Sequence, residues 1–585
     1  MKIFLDIVGE IIELLSLADK PTGYIMGFTA IWFLVLVIAA IVTKKNKKIV
    51  FSILAVIPVI NFAVFYLFNY TKGVQLPGLL RFGPHLVAAL VYCVAAIVMS
   101  RGKRKVLPLI ISGVLTVLLS VFSVLYVFAM GSAYHYGNFT HSGYERSMSQ
   151  LIDELEANYV LRDYKEIDFE YLRSTYIPMA AEAEKNRDEA AFAEAVANLC
   201  YEFHDGHLSI RITDESLSQK VRDKMAGNDY GFSMMRLDDG KTVAILCDEN
   251  SEAYKLGIHN DTVITAWDGV GIDEAISGVR CVQSIAQMCA YPIESNEELV
   301  KPIFLAGQGG DKIKVRFIDD LGSEKEVTLT ANGSYFSRLM SATIPLTEKW
   351  CSEFGQAKML DDHVGYICIP VERFDAVKDL PAALKDEYPE LKELLISRID
   401  GLKSQGMDKL VIDIRGNDGG IDVVYEQVVS LFTDKQMVAY GAFYDGKKFN
   451  KSDNWAWTVP VDGRYKDIPA VVLVSAGCAS SGDMLAYRLS NCPNTTMMGI
   501  TTTWGSAQSL GGECILSGGH IEVRYPIIAT LDEEGKIIMD AGKDRKSSLK
   551  LDKRIPMDKT AVYCIYGLGG DYEIAYARKY LNGEI

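Results

Sequence analysis

The sequence predicts an α/β protein in which four transmembrane helices precede a helical segment, a β-rich module and a parallel-sheet core. Three patterns carry that expectation. The first quarter holds four uncharged apolar runs, the middle holds short strands broken by turn residues, and the last part repeats strand, glycine loop and helix. Composition agrees: 49% hydrophobic residues and a mean hydropathy of +0.11 over 585 residues exceed the norm for a soluble chain. Residues 1–135 hold 12 Lys+Arg against 4 Asp+Glu, a net +8 that leaves −23 for the remainder of a chain at −15. That balance excludes a nucleic-acid-binding main domain. Ten of the eleven cysteines lie beyond residue 135 with no CxxC pair or His/Cys cluster, so neither a zinc site nor a dense disulfide framework is expected.

Residues 1–22 read as an amphipathic helix, with Asp6, Glu10 and Glu13 on one face. The runs 24–43, 49–71, 82–100 and 106–131 fill a transmembrane region over 23–131, each near the ~20 residues that cross ~30 Å of hydrocarbon. Lys44, Lys45, Lys47 and Lys48 follow the first run, and Arg101, Lys103, Arg104 and Lys105 follow the third. By the positive-inside rule both connections are cytoplasmic, so everything past about residue 132 is expected outside a multi-pass cell-membrane anchor, with the lipid bilayer as a partner. The runs carry no Asp, Glu, Lys or Arg, which argues against a transporter.

Residues 138–226 carry apolar spacings of three and four and are expected to be helical, ending in Phe203-His204-Asp205-Gly206-His207-Leu208-Ser209, where a strand pattern begins. Residues 227–331 alternate short strands with turns. The stretch Glu249-Asn250-Ser251-Glu252-Ala253-Tyr254-Lys255-Leu256-Gly257-Ile258, followed by Asp261 to Gly269, resembles the core of a PDZ domain. That resemblance implies a groove for an extended peptide, its terminal carboxylate held by amides near Tyr230, Gly231 and Phe232.

From residue 345 to 585 the order is βαβ. Lys409 to Ile414 reads as a buried strand, Arg415 to Gly420 as a glycine loop and Ile421 to Phe432 as a helix; Ala470 to Ser475 is the next strand and Ser480 to Ser490 the next helix. A serine at a helix start sits where unpaired N–H groups stabilise developing negative charge. A glycine loop beside it offers unobstructed amides. The plain alternatives are an N-cap serine and a simple turn.

The order His207, β-rich module, Asp413-Ile414-Arg415-Gly416-Asn417-Asp418-Gly419-Gly420, then Ser475-Ala476-Gly477-Cys478-Ala479-Ser480-Ser481-Gly482-Asp483 resembles the C-terminal-processing (tail-specific) serine peptidases. The resemblance runs from about residue 145 to the C-terminus and implies a ClpP/crotonase-like α/β catalytic core with Ser480 as nucleophile. One branch of that family uses a lysine some 25 residues after the serine, but Gly499 to Ser509 contains none. The tricorn-core-like branch takes a histidine ahead of the PDZ module and an acidic residue about 60 positions after the serine, which His207 and Asp540 match. The resemblance thus implies a Ser480/His207/Asp540 triad with oxyanion donors at Gly419, Gly420 and Ser481. His204 and His520 remain rival bases, Glu533 and Glu534 rival acids, and Ser481 and Cys478 rival nucleophiles. The expected function is a membrane-anchored serine peptidase acting on peptides or protein C-terminal tails, with no metal or organic cofactor needed. The alternative is a catalytically inactive PDZ-containing receptor or scaffold.

Overall fold

The computed structural model describes residues 135–585, apart from 284–287, 348–352, 376–377 and 386, together with residues 34, 36–38 and 41. Among these residues no helix is long and apolar enough to cross a membrane. The longest, Phe169–Asn186, carries Glu170, Arg173, Glu182, Glu184 and Lys185, and is amphipathic. The fold class is therefore corrected to a mixed α/β fold, and the multi-pass, extracellular localisation falls with the transmembrane helices it was built on. The runs between 24 and 131, and the amphipathic helix of 1–22, lie outside the described residues.

The chain divides into two compact units. One comprises residues 1–142 with 511–519, where His135–Asn138 pairs in parallel with Gly512 to Ile515. The other, residues 143–510 with 520–585, holds every residue discussed below.

Its centre is a sheet with the order Ala357–Met359, Val364–Cys368, Lys409–Asp413, Ala470–Leu473, Thr495–Gly499 and Lys553–Arg554, parallel except for the first pair. The inner strands are almost wholly buried, as expected of parallel strands covered on both faces. Alternate side chains feed different cores. Val411, Val471, Leu473 and Met498 join one apolar cluster, while Leu410, Ile412, Ala470, Val472 and Met497 join the other. The helices Pro389–Ser404, Asp422–Ser430 and Ser481–Ser490 follow successive strands as crossovers.

The Asp413-Ile414-Arg415 sequence has a structural task at the end of its strand. The Arg415 guanidinium is fully buried and bonds both oxygens of Asp413 (2.8 and 2.6 Å), both of Asp571 (2.9 and 2.8 Å) and Oε2 of Glu573 (2.9 Å). Glu573 Oε1 in turn accepts the Ile500 N–H at 3.1 Å. One cation thereby clamps the C-terminal helix Tyr572–Leu581 to the sheet.

A second sheet connects the histidine-bearing segment to the core. Ile521–Leu531 pairs antiparallel with Ser209–Ile212 through its first four residues and with Met437–Tyr444 through its last three. His207 lies just before the first of these strands. In the β-rich module the strands Glu324–Thr330, Lys312–Ile318, Val263–Trp267, Thr242–Ile245 and Ser233–Arg236 are antiparallel neighbours in that order. Ser251 caps the short helix Glu252–Lys255, accepting the Tyr254 N–H at 3.1 Å. Residues 230–232 precede the edge strand instead of belonging to it.

Candidate active site

Ser480 stands between the strand Ala470–Leu473 and the helix Ser481–Ser490 with φ 58° and ψ −125°. A non-glycine residue rarely adopts that conformation, and such strain gathers at functional turns. Its N–H donates to the Ser506 carbonyl at 3.1 Å. Gly419 lies directly against it at φ 88°: a Cβ there would stand 2.7 Å from Ser480 Cβ, 2.7 Å from the Ala479 carbonyl oxygen and 2.8 Å from Ser481 N. Only glycine permits this approach. Asn417 fixes the loop, because its side chain accepts the Gly419 N–H at 3.0 Å and donates to Ile369 O (3.0 Å) and Glu372 Oε1 (3.1 Å), while its carbonyl accepts from Ala479 N (3.0 Å). Gly419 thus spends its own amide on Asn417. Gly420 and Ser481 supply the amides that border the serine without such a bond among the described residues.

The rival nucleophiles are occupied. Cys478 is fully buried with its thiol pushed up to about 12 by burial, and its Sγ lies 3.0 Å from the Ile414 carbonyl oxygen. Ser481 Oγ donates to Asp422 Oδ1 at 2.7 Å. Among the acids, Glu533 and Glu534 are exposed and Asp540 is buried. Among the bases, burial together with the nearby Arg545 and Lys165 holds His204 down to about 3, and His520 is exposed.

The base side is assembled around residues 504–508. Ser506 binds Ser480 through its carbonyl and the Gly206 N–H through its hydroxyl (2.8 Å), and forms an isolated antiparallel bridge with Asp540. The His207 ring bonds the Gln508 carbonyl. Trp504 packs so closely on Gly206 that no side chain could be added there. Asp205, wholly buried, accepts from Tyr159 OH (2.6 Å), His207 N (2.8 Å) and Ser506 Oγ (3.2 Å). All three expected triad residues therefore attach to a segment of three residues, Ser506 to Gln508. Burial holds the His207 imidazole below its usual range, opposed by the Asp205 carboxylate and the Gln508 carbonyl.

Their side chains are not bonded to one another. His207 Nδ1 is buried without a hydrogen-bond partner, and Asp540 Oδ1 lies 2.7 Å from Lys165 Nζ. Lys165 is itself buried and also donates to Ala541 O (2.7 Å) and His204 O (3.2 Å). Burial nevertheless pushes the Asp540 carboxyl up to about 8, against the pull of Lys165 and with the help of the Asp205 and Asp483 charges. Asp483, at the third position of the serine helix, accepts the Gly505 N–H (3.0 Å) and the Ser506 N–H (3.0 Å) and is pushed up to about 7 by burial. Sequence reasoning missed Lys165, which no local pattern marks. It also missed the bracing role of Trp504 to Gln508, for which Asp483 at the helix start was an available signal.

Tyr230 and Phe232 are buried against Trp267, with ring centroids 5.8 and 6.0 Å away, and Gly231 N donates to Asp229 Oδ1 at 2.7 Å. A cleft of about 220 Å³ opens beside Ser480.

Residues 363–542 match the model of peptidase family S41, a serine-peptidase family. The carboxyl-terminal-processing protease of a Picosynechococcus species is 27% identical over 111 residues, which is 19% of this chain and 25% of that one. Carboxy-terminal processing protease CtpB of Bacillus subtilis is 22% identical over 291 residues, 49% of each chain. The chain thus spans half or less of the length of the curated relatives it matches. Among solved structures, mature CPAF complexed with lactacystin aligns over 75% of this chain and 97% of its own at 12% identity and a TM-score of 0.47. The photosystem II D1 C-terminal processing protease aligns over 73% and 98% at 16% identity and a TM-score of 0.31. The family match lies outside residues 227–331, and none of these findings supports a PDZ domain or a membrane anchor.

Proposed function

We propose that this chain, whose residues 363–542 match a serine-peptidase family, is a serine peptidase that cleaves peptides or the C-terminal tails of proteins. Ser480 Oγ attacks the scissile carbonyl, His207 takes the hydroxyl proton and later returns it to the leaving amine, and Asp540 orients the imidazole and stabilises its charged form. The amides of Gly420 and Ser481 receive the oxyanion, and Gly419 admits it by having no side chain. The observation that carries this reading is the strained Ser480 turn packed on Gly419 and tied, with His207 and Asp540, to Ser506 and Gln508. For the triad to act, the His207 ring exchanges the Gln508 carbonyl for Ser480, and Asp540 turns part of its charge from Lys165 to His207.

The test is labelling of the whole chain with a fluorophosphonate, followed by peptide mapping. Modification at Ser480, lost in Ser480→Ala and His207→Ala, is the expected result. A chain that binds peptides without labelling or cleaving would favour the second reading, an inactive receptor or scaffold. The unpartnered His207 Nδ1 and the Lys165–Asp540 pair are what favour that reading. In both readings Tyr230, Gly231 and Phe232 would bind a peptide carboxylate only if Asp229 released the Gly231 amide.

A further inference from the structure

The cleft beside Ser480 holds about 220 Å³, below the roughly 300–1,000 Å³ of small-molecule sites, so it suits a single side chain. Ser480, Gly420, Asp422, Tyr425, Trp457 and Thr530 are among its lining residues. Two of them are large aromatic rings, and Asp422 is the one carboxylate. Asp422 Oδ1 accepts the Ser481 hydroxyl at 2.7 Å, while Oδ2 has no hydrogen bond among the described residues. Burial raises this carboxyl above its usual range and the Ser481 hydroxyl opposes that, while no cation among the described residues pairs with it. The guanidinium of Arg488 acts on Tyr425 instead. An acid at the start of the helix Asp422–Ser430 would suit the helix dipole by itself, but that does not explain why it opens on a cleft bordering the nucleophile.

We infer that this cleft receives the side chain on the acyl side of the scissile bond, and that Asp422 with Tyr425 and Trp457 selects a cationic one, lysine or arginine. The inference rests on the serine-peptidase reading of Ser480. An ammonium or guanidinium there gains a charge-assisted bond to the second carboxylate oxygen, and its methylene stem packs against two aromatic side chains. An apolar side chain of the same length strips water from that oxygen and leaves it unpaired, which is the situation in which polar sites discriminate most sharply.

The experiment uses two peptidyl phosphonates that differ only in a lysine-like or leucine-like group at that position, with a generic fluorophosphonate as a third probe of Ser480. The lysine-like probe should label the whole chain at least tenfold faster than the leucine-like one. Asp422→Asn should lower that ratio tenfold or more, whereas Asp422→Glu should keep a preference for the cation. Ser481→Ala removes the hydroxyl that Asp422 holds, and the ratio should survive it. Faster labelling by the leucine-like probe, an unchanged ratio in Asp422→Asn, or an equal collapse in Ser481→Ala would each overturn the inference while the peptidase reading stood. Failure of the generic probe to label Ser480 would sink both together.

Discussion

The nucleophile side and the base side of the site differ in how they are built. Ser480 and Gly419 sit on two neighbouring strand-to-helix turns whose strands share a register, Asp413 opposite Leu473, so backbone geometry alone brings them into contact. Asp540 lies more than 300 positions beyond His207 and Lys165 in the chain, and on this side side chains make the attachments: the His207 ring on the Gln508 carbonyl, the Asp540 carboxylate on Lys165. A site half fixed by main chain and half by exchangeable side-chain partners can keep its nucleophile poised while its base is repartnered. The difference teaches where substitutions will act on rate and where they will act on pH dependence.

Removing either functional group tests both sides at once. Ser480→Ala and His207→Ala should each lower kcat/KM by about 10⁴-fold or more, with the double variant hardly worse, since such residues act as a unit. A His207→Ala enzyme with undiminished peptide cleavage would refute the base assignment alone. Next in size is the scaffold beneath the nucleophile side. Arg415→Met strands the buried carboxylates of Asp413 and Glu573 and should cost about 3–5 kcal/mol, read as a loss in urea midpoint at unchanged slope. Gly419→Ala drives a methyl group into Ser480 and the Ser481 amide, and should lower kcat about 100-fold with the fold intact by circular dichroism.

The smallest effect belongs to the base side. Burial lowers the His207 imidazole, so the acid limb of kcat/KM should fall below pH 6.5. If Asp540 works as a carboxylate, its position at about 8 makes kcat/KM climb about tenfold between pH 7 and its plateau. Lys165→Met removes a cation that favours the charged form, so the climb should move to higher pH; Asp540→Asn should abolish it. A pH profile unmoved by both variants would detach Asp540 from the reaction.

What could be read from the sequence follows the same division. Asp413 to Gly420 and Ser475 to Asp483 are contiguous motifs whose residue types dictate a turn, a close approach and a helix start, and the structure brings them together. Repeated strand and helix periodicity likewise yields the parallel sheet. The Lys165–Asp540 pair joins positions 375 residues apart, and nothing in the amphipathic pattern around Lys165 marks its side chain as buried. Residues 499–509 drew notice only for lacking a lysine, while their use as a brace depends on backbone carbonyls and amides that side-chain identities do not display. The apolar runs that led to the transmembrane expectation lie, apart from residues 34, 36–38 and 41, outside the described residues.

The left-handed turn at Ser480 has a bearing on how an inactive form of this molecule is best prepared. At φ 58° alanine keeps the steric penalty of the native residue, whereas glycine sheds it, and the relief is of the order of 1–3 kcal/mol less the greater freedom glycine gains when unfolded. Ser480→Gly should therefore melt above Ser480→Ala, by about 1 °C for each net kcal/mol, given about 2.1 cal/mol/K of unfolding entropy per residue over residues 143–510 and 520–585. A substrate trap made with glycine would outlast one made with alanine on a warm bench. The order of the two melting points reports how much tension the nucleophile's turn holds in reserve.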